Sequence, residues 1–332
     1  MAKWYLGEGE QSDVVISTRI RLARNLADYP FPARLDTKTR VAVNELVRDA
    51  VPAAANLHYI EMKTLTQAQI VSLAERHIIS PEFASSADGR ALLLSDDEEI
   101  SVMLNEEDHI RLQVMKPGLA LADAYDTADK LDTAINDKLR FAFDEYLGYL
   151  TECPTNLGTG MRASVMLHLP ALTALNRVGT LAATVSKLGL TIRGAYGEGS
   201  APLGDLYQIS NQVTLGISEK SAIENLKTIV LQLAAQERAA RTELLKTVET
   251  EDMIYRAYGV LKSARLLNTK EFMQLASQVR MGAVGGVLQV DANSINDLMF
   301  TLQPAGINTL AGKTLDAHER DIERAKIVRE RL

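Results

Sequence analysis

Cys153-Pro154-Thr155-Asn156-Leu157-Gly158-Thr159-Gly160-Met161-Arg162 is a polar, glycine-bearing stretch that runs directly into the alternating segment Arg162 to Leu169. There Ala163, Val165 and Leu167 fall on one face and Arg162, Ser164 and Met166 on the other, the period of a strand. A loop of this kind with an arginine at the strand head can bring backbone N–H groups near phosphates. It lacks G-x-x-x-x-G-K-[ST], so it is not a P-loop. Cys153 is the only cysteine. A lone cysteine is more often a small buried hydrophobe than a reactive thiol; the polar loop around this one favours the thiol.

Outward from this stretch, further segments are polar where a core strand need not be. In Ser17-Thr18-Arg19-Ile20-Arg21, Arg19 and Arg21 share a face if the segment is extended. Two neighbouring guanidinium forks repel unless an anion sits between them, and phosphate oxygens match that geometry. The plainer reading is a solvated basic edge. In Asn105-Glu106-Glu107-Asp108-His109-Ile110-Arg111 a run of carboxylates leads into a strand with Arg111 on its polar face; alone it would read as a solvated loop. Arg193-Gly194-Ala195-Tyr196-Gly197-Glu198-Gly199-Ser200 is a tightly turning glycine-rich loop that carries Glu198, or simply a flexible hairpin. Near the C-terminus Arg320-Asp321-Ile322-Glu323-Arg324-Ala325 lies on a helix opened by Asp316, with Glu319 at the capping-box position. Arg320 and Arg324, one turn apart, form a like-charge pair that an anion would relieve.

Periodicity places helices over 37–50, with Thr37 as N-cap, and over 65–78. Strands are expected at Ala91–Leu94, Ile100–Leu104 and His109–Met115. A long amphipathic helix fits 119–146, with Leu121, Tyr125, Ala128, Leu131, Ile135, Leu139 and Phe143 in one stripe. Another helix runs from Pro170 to a C′ glycine at Gly189. Strands follow at 190–194 and 206–215, and the chain is helical from about 219, with a turn-rich interval at 282–294. The expected fold is α+β, an antiparallel sheet flanked by helices, followed by a small all-α domain. The domains are set at 13–247 and 248–332, a boundary loose by several residues.

The chain has 332 residues, 46% hydrophobic and 24% charged, with a net charge of −7, which fits an ordinary globular protein and argues against direct nucleic-acid binding. The single cysteine excludes an internal disulfide and suggests the cytoplasm. Nothing at the N-terminus reads as a signal peptide, and no apolar run approaches a membrane span.

Taken in order, S-x-R-[IV]-R, N-E-E-D-H-x-R, C-P-T-N-L-G-T-x-x-R-A-S-V and R-G-x-x-G-E resemble the catalytic domain of the phosphagen (guanidino) kinases over about residues 13–245. The resemblance implies their antiparallel fold and Mg-ATP, with Mg²⁺ held through the nucleotide and no metal site of the chain's own. It implies a nucleotide site at Ser17, Thr18, Arg19, Ile20, Arg21, His77, Arg111, Arg162, Ala163, Ser164, Val165, Met166, Arg193, Gly194, Ala195, Tyr196, Gly197 and Glu198. The phosphate clamp falls to Arg19, Arg21, Arg111, Arg162 and Arg193. Glu107 and Glu198 match the carboxylates that hold the acceptor guanidinium, Cys153 the active-site cysteine, and His77 a histidine against the adenine. Met166 stands where metabolic members usually carry a second histidine. The chemistry agrees: a guanidinium is protonated at neutral pH and needs a carboxylate to orient it and accept its proton.

Two departures, no helical domain ahead of Ser17 and the R-D-x-x-R-A tail, are similar to the bacterial protein arginine kinases of the McsB type. That resemblance implies phosphorylation of arginine in target proteins and an allosteric phosphoarginine site at Arg320, Asp321, Arg324 and Ala325. It further implies a stress-response setting with a CtsR repressor as target, a ClpC-type protease, a McsA-type activator and a homodimer. The rival readings are a metabolic kinase for free arginine and a non-catalytic phosphoarginine binder.

Overall fold

In the computed structural model, which describes residues 3–196 and 202–332, the strands are β1 (Val15–Arg24), β2 (His58–Glu61), β3 (Ala91–Leu94), β4 (Ile100–Leu104), β5 (Ile110–Pro117), β6 (Phe143–Asp144), β7 (Gly148–Tyr149), β8 (Met161–His168), β9 (Leu190–Gly194) and β10 (Leu206–Asn211). Eight of them form one sheet in the order β2-β3-β4-β5-β1-β8-β10-β9, and every adjacent pair is antiparallel. Around it lie α1 (Thr37–Ala50), α2 (Gln67–Glu75), α3 (Pro81–Ala84), α4 (Leu121–Asn136), α5 (Pro170–Ala174), α6 (Val178–Ser186) and α7 (Glu219–Leu244). The chain ends in α8 (Val248–Ser263), α9 (Thr269–Val284), α10 (Ala292–Thr301), α11 (Pro304–Ala311) and α12 (Ala317–Arg331).

The apolar residues of the central strands, such as Ile20, Leu22, Leu112, Val114, Ala163 and Val165, share one core with α1, α4 and α7. A second core joins Trp4 and α2 to the C-terminal helices and touches the opposite sheet face through Ile16, Met115 and Met166. Between these contacts the second face carries polar side chains, and the site lies there.

The C-terminal helices are docked by buried polar groups. Arg280 Nη1 donates to His168 Nδ1 at 2.9 Å, which leaves the Nε2 proton for Ser277 Oγ at 2.9 Å, and Ser277 donates to Asp205 at 2.5 Å. The Glu75 carboxylate accepts the amides of Ala305 and Gly306 at 2.9 and 3.0 Å, capping the N-terminus of α11 with the charge its dipole favours.

Several expectations need correction. Asp36, not Thr37, caps α1, because its carboxylate accepts Thr39 N. The helix expected over 65–78 spans only Gln67–Glu75, closed at its start by a Thr66–Gln69 capping box. The helix expected over 119–146 stops at Asn136. Arg140 and Ala142 instead pair their backbone with Ala27 and Asn25, and a small hairpin, β6–β7, follows. The Pro170–Gly189 helix breaks in two at Asn176, whose φ of 55° is left-handed. The last sheet strand ends at Asn211, whose amide is spent on Met161 O and Val213 O.

Candidate active site

Strand period and ladder register gather the arginines. Arg21 lies opposite Arg162 across β1–β8, Arg19 opposite Ser164, and Arg111 opposite Ala23 on the other flank. Side chains alternate, so Arg19, Arg21, Arg111 and Arg162 all stand on the polar face. With Arg193 from β9 they line a cleft of about 1120 Å³, which His77, Glu107, Glu152, Gly194, Ala195 and Tyr196 also border.

Arg19 donates to Gln208 at 2.6 Å and Ser164 at 3.3 Å, and Arg162 reaches Ser210 at 3.4 Å. Among the described residues the buried Arg21 Nε has no hydrogen-bond partner. Burial and the neighbouring guanidiniums push the Arg19 pKa down to about 10 and that of Arg21 well below its ordinary value. A polyanion in the cleft would reverse both penalties.

Arg111 is held from the acidic turn. Its Nη1 donates to Glu106 at 2.8 Å and its Nη2 to Glu107 at 3.3 Å. Glu106 is buried and also accepts from Ser80 Oγ, so it fixes Arg111. Glu107 is more open. Burial raises its carboxyl pKa, partly offset by Arg111. Asp108 ties the turn to the loop of Cys153, since its Oδ1 accepts from Asn25 Nδ2 at 2.6 Å and Glu152 N at 2.9 Å. Its carboxyl is raised by burial.

His77 follows the end of α2 with φ of 60°, its ring 4.9 Å from that of Tyr196. Burial and Arg19 lower its pKa to about 3, and among the described residues its buried Nε2 has no partner, so a neutral imidazole faces the cleft. Gln113 holds the His77 carbonyl at 2.8 Å.

Other expected site residues are placed differently. Thr18, Ile20, Ala163 and Val165 turn away from the cleft, because alternate residues of a strand face opposite sides. Thr18 Oγ1 instead donates to Gly118 O at 2.8 Å, and the other three belong to the first core. Ser17 is buried, and Met166 packs in the second core. Ser164 meets the cleft only through Arg19. Cys153 is half-buried on the loop just beyond Glu152, its Sγ 3.0 Å from Thr155 Oγ1. Gly197 and Glu198 lie outside the described residues. Asn25, Ser80, Asp108, Gln113 and Glu152 escaped the sequence reading; only the N-E-E-D-H turn hinted at any of them.

At the C-terminus the motif on α12 divides. Arg324 is fully buried and donates to Leu267 O at 2.6 Å, Asp321 at 2.8 Å, Thr269 Oγ1 at 2.9 Å and Leu302 O at 3.0 Å. The expected pair of open forks is therefore corrected: carbonyls at the helix junctions occupy Arg324. Arg320, half-exposed, gives Nη1 to Leu315 O at 2.6 Å, and Asp321 lies beside it, while Ala325 is buried.

Among the described residues no His/Cys/Asp/Glu group could hold a metal ion, and no helix is long and apolar enough to cross a membrane.

Residues 39–240 match the family model for the ATP:guanido phosphotransferase C-terminal catalytic domain, and residues 247–332 that for the protein-arginine kinase McsB C-terminal domain. A protein-arginine kinase of Halothermothrix orenii is 46% identical, covering 100% of this chain and 97% of that protein. One from Geobacillus stearothermophilus is also 46% identical, covering 100% and 94%. Among solved structures, a lombricine kinase superposes with a TM-score of 0.62 at 25% identity, over 73% of this chain and 70% of that one. The duplicated taurocyamine kinase of Schistosoma mansoni gives 0.63 at 24% identity, over 80% and 40%, a likeness of fold.

Proposed function

The chain belongs to the protein-arginine kinases of the ATP:guanido phosphotransferase family, and we propose that it transfers the γ-phosphoryl group of ATP to arginine side chains of other proteins. The observation that carries this reading is Arg111, which joins the crowded arginine cleft to Glu107 in one side chain. Anion site and cation site thus adjoin, as a reaction between a triphosphate and a guanidinium requires.

Arg19, Arg21, Arg111, Arg162 and Arg193 hold the phosphates, and their charge stabilises the transferring phosphoryl group. The neutral His77 ring packs against the base. Glu107, its pKa raised by burial, orients the acceptor and takes its proton. The family resemblance assigns Glu198 the same duty. The guanidinium nitrogen forms the new P–N bond, the P–O bond to the β-phosphate breaks, ADP leaves with the bond pair, and the proton passes to the glutamate. Magnesium, carried in on the phosphates, supplies further charge neutralisation. Cys153, beside Glu152, tunes the acceptor electrostatically.

Arg320 and Asp321 offer a cation and an anion for the two ends of a phosphoarginine, a regulatory site in this reading. A CtsR-type repressor target, a ClpC-type protease, a McsA-type activator, a homodimer, a stress response and a cytoplasmic location belong to the same proposal and rest on the family resemblance alone.

Incubation with ATP and a folded arginine-bearing protein, and separately with free arginine, tests the reading. Mass spectrometry that preserves acid-labile P–N bonds is expected to find phosphoarginine in the protein. Phosphorylation of free arginine alone would overturn it.

A further inference from the structure

The loop that borders the acceptor side of the cleft continues into an apolar rim. Gly158 N donates to Leu147 O at 2.8 Å, Tyr149 N to Gly158 O at 2.8 Å and Thr159 N to Thr214 O at 3.0 Å. Thr214 Oγ1 donates to Thr155 O at 2.9 Å. A Cβ on Gly158 would lie 2.2 Å from Thr214 O, so the β6–β7 hairpin, the 153–160 loop and the 212–217 segment approach as closely as backbone allows. This joined edge exposes Phe143, Tyr146, Leu147, Val213, Leu215 and Ile217, with Tyr146 at the hairpin tip 90% accessible. Single exposed apolar side chains are ordinary on a protein surface, but gathered on one tied edge they mark a binding surface.

We propose that this rim docks the folded protein that carries the acceptor arginine, an inference that rests on the functional reading above. The loop that supplies Glu152 to the cleft is the loop stitched to the rim. In this arrangement the surface around the acceptor arginine presses on the rim while the arginine itself enters the cleft toward Glu107. The charge also fits: Glu145 is exposed on the hairpin beside Asp144, and Glu107 and Glu152 lie at the cleft, so an arginine-bearing surface meets carboxylates around an apolar centre.

Tyr146→Ser with Leu215→Ser in the full chain tests this without changing charge. Phosphorylation of lysozyme, a folded arginine-bearing probe, is expected to lose about tenfold in kcat/KM through KM. KM for ATP and transfer to N-acetylarginine amide should stay at wild-type level, and Tyr146→Phe with Leu215→Met should restore the lysozyme rate. Equal losses on both acceptors, or no loss on lysozyme, would overturn the docking surface while leaving the kinase reading intact. A shift of the variant from dimer to monomer in light scattering, with acceptor preference unchanged, would overturn it in favour of a self-interface. Wild-type enzyme that transfers only to the small acceptor would overturn the functional reading itself.

Discussion

Arg21 stands directly opposite Arg162 across the β1–β8 ladder, cation facing cation with Arg19 one pleat away, and Arg21 Nε has no partner among the described residues. Like charges opposite one another destabilise a sheet. The arrangement therefore costs stability in the empty protein and stabilises a bound polyanion. Arg21→Met should raise the melting temperature of the nucleotide-free protein and weaken ATP binding by about 1.5–3 kcal/mol, the worth of a charge-assisted contact. Arg162→Ala should weaken ATP binding to a similar degree. Calorimetry with unchanged affinity in both variants would refute the clamp.

Glu107 should set the acidic limb of the rate profile. Burial raises its carboxyl pKa, so as pH falls through that raised value the group protonates and can no longer take the acceptor's proton. Glu107→Gln should abolish most transfer while ATP affinity holds, since its contact is with Arg111 at the acceptor edge. A variant that turns over near wild type, with the acidic limb unmoved, would remove Glu107 from the chemistry.

His77 should make stability depend on pH. Its folded pKa, about 3, lies below the ordinary histidine value, so the unfolded chain binds the proton more readily. The stabilisation is complete above the unfolded pKa of about 6.5 and is lost as pH falls from there toward the folded value. His109, lowered to about 4 by burial, acts in the same sense. His77→Asn tolerates the left-handed backbone and stays neutral. Compared with wild type in urea titrations, it should lose up to about 2 kcal/mol less stability between pH 7 and 5. Parallel pH curves would show that the imidazole is not held neutral.

Arg324 and Arg320 should separate when mutated. Arg324→Ala strands the Leu267 and Leu302 carbonyls, each costing about 1–3 kcal/mol, and should loosen the C-terminal helices. Arg320→Ala with Asp321→Ala should leave the chain folded but abolish phosphoarginine binding there. Equal binding of phosphoarginine by wild type and the double variant would leave Arg320 as surface charge only.

How far these features could be read from the chain varied with the range of the forces involved. The bounds of β3, β4 and β9 and the span of α1 were legible, because alternation and helical period are local properties of backbone and side chain. So was the shared face of Arg19 and Arg21, and so were Asp316 and Glu319 as the capping box of α12. The end of α4 was not legible: Leu139 and Phe143 continue its apolar stripe. The competing partners at Asn25 and Ala27 lie more than a hundred residues upstream, and their backbone pairing outweighs one more turn of helix. Separations of 83 and 44 residues hid Asp108 as the bridge between Asn25 and Glu152. On α12 the spacing placed Arg320 and Arg324 together, yet only acceptors at the start of α9 and the end of α10 decided that Arg324 turns inward. A buried guanidinium must find acceptors wherever the fold provides them. Sequence determined which residue types share a strand or helix face, since that follows from backbone period. Tertiary structure decided which of those faces meet and which charges are satisfied, since that depends on groups far apart in the chain.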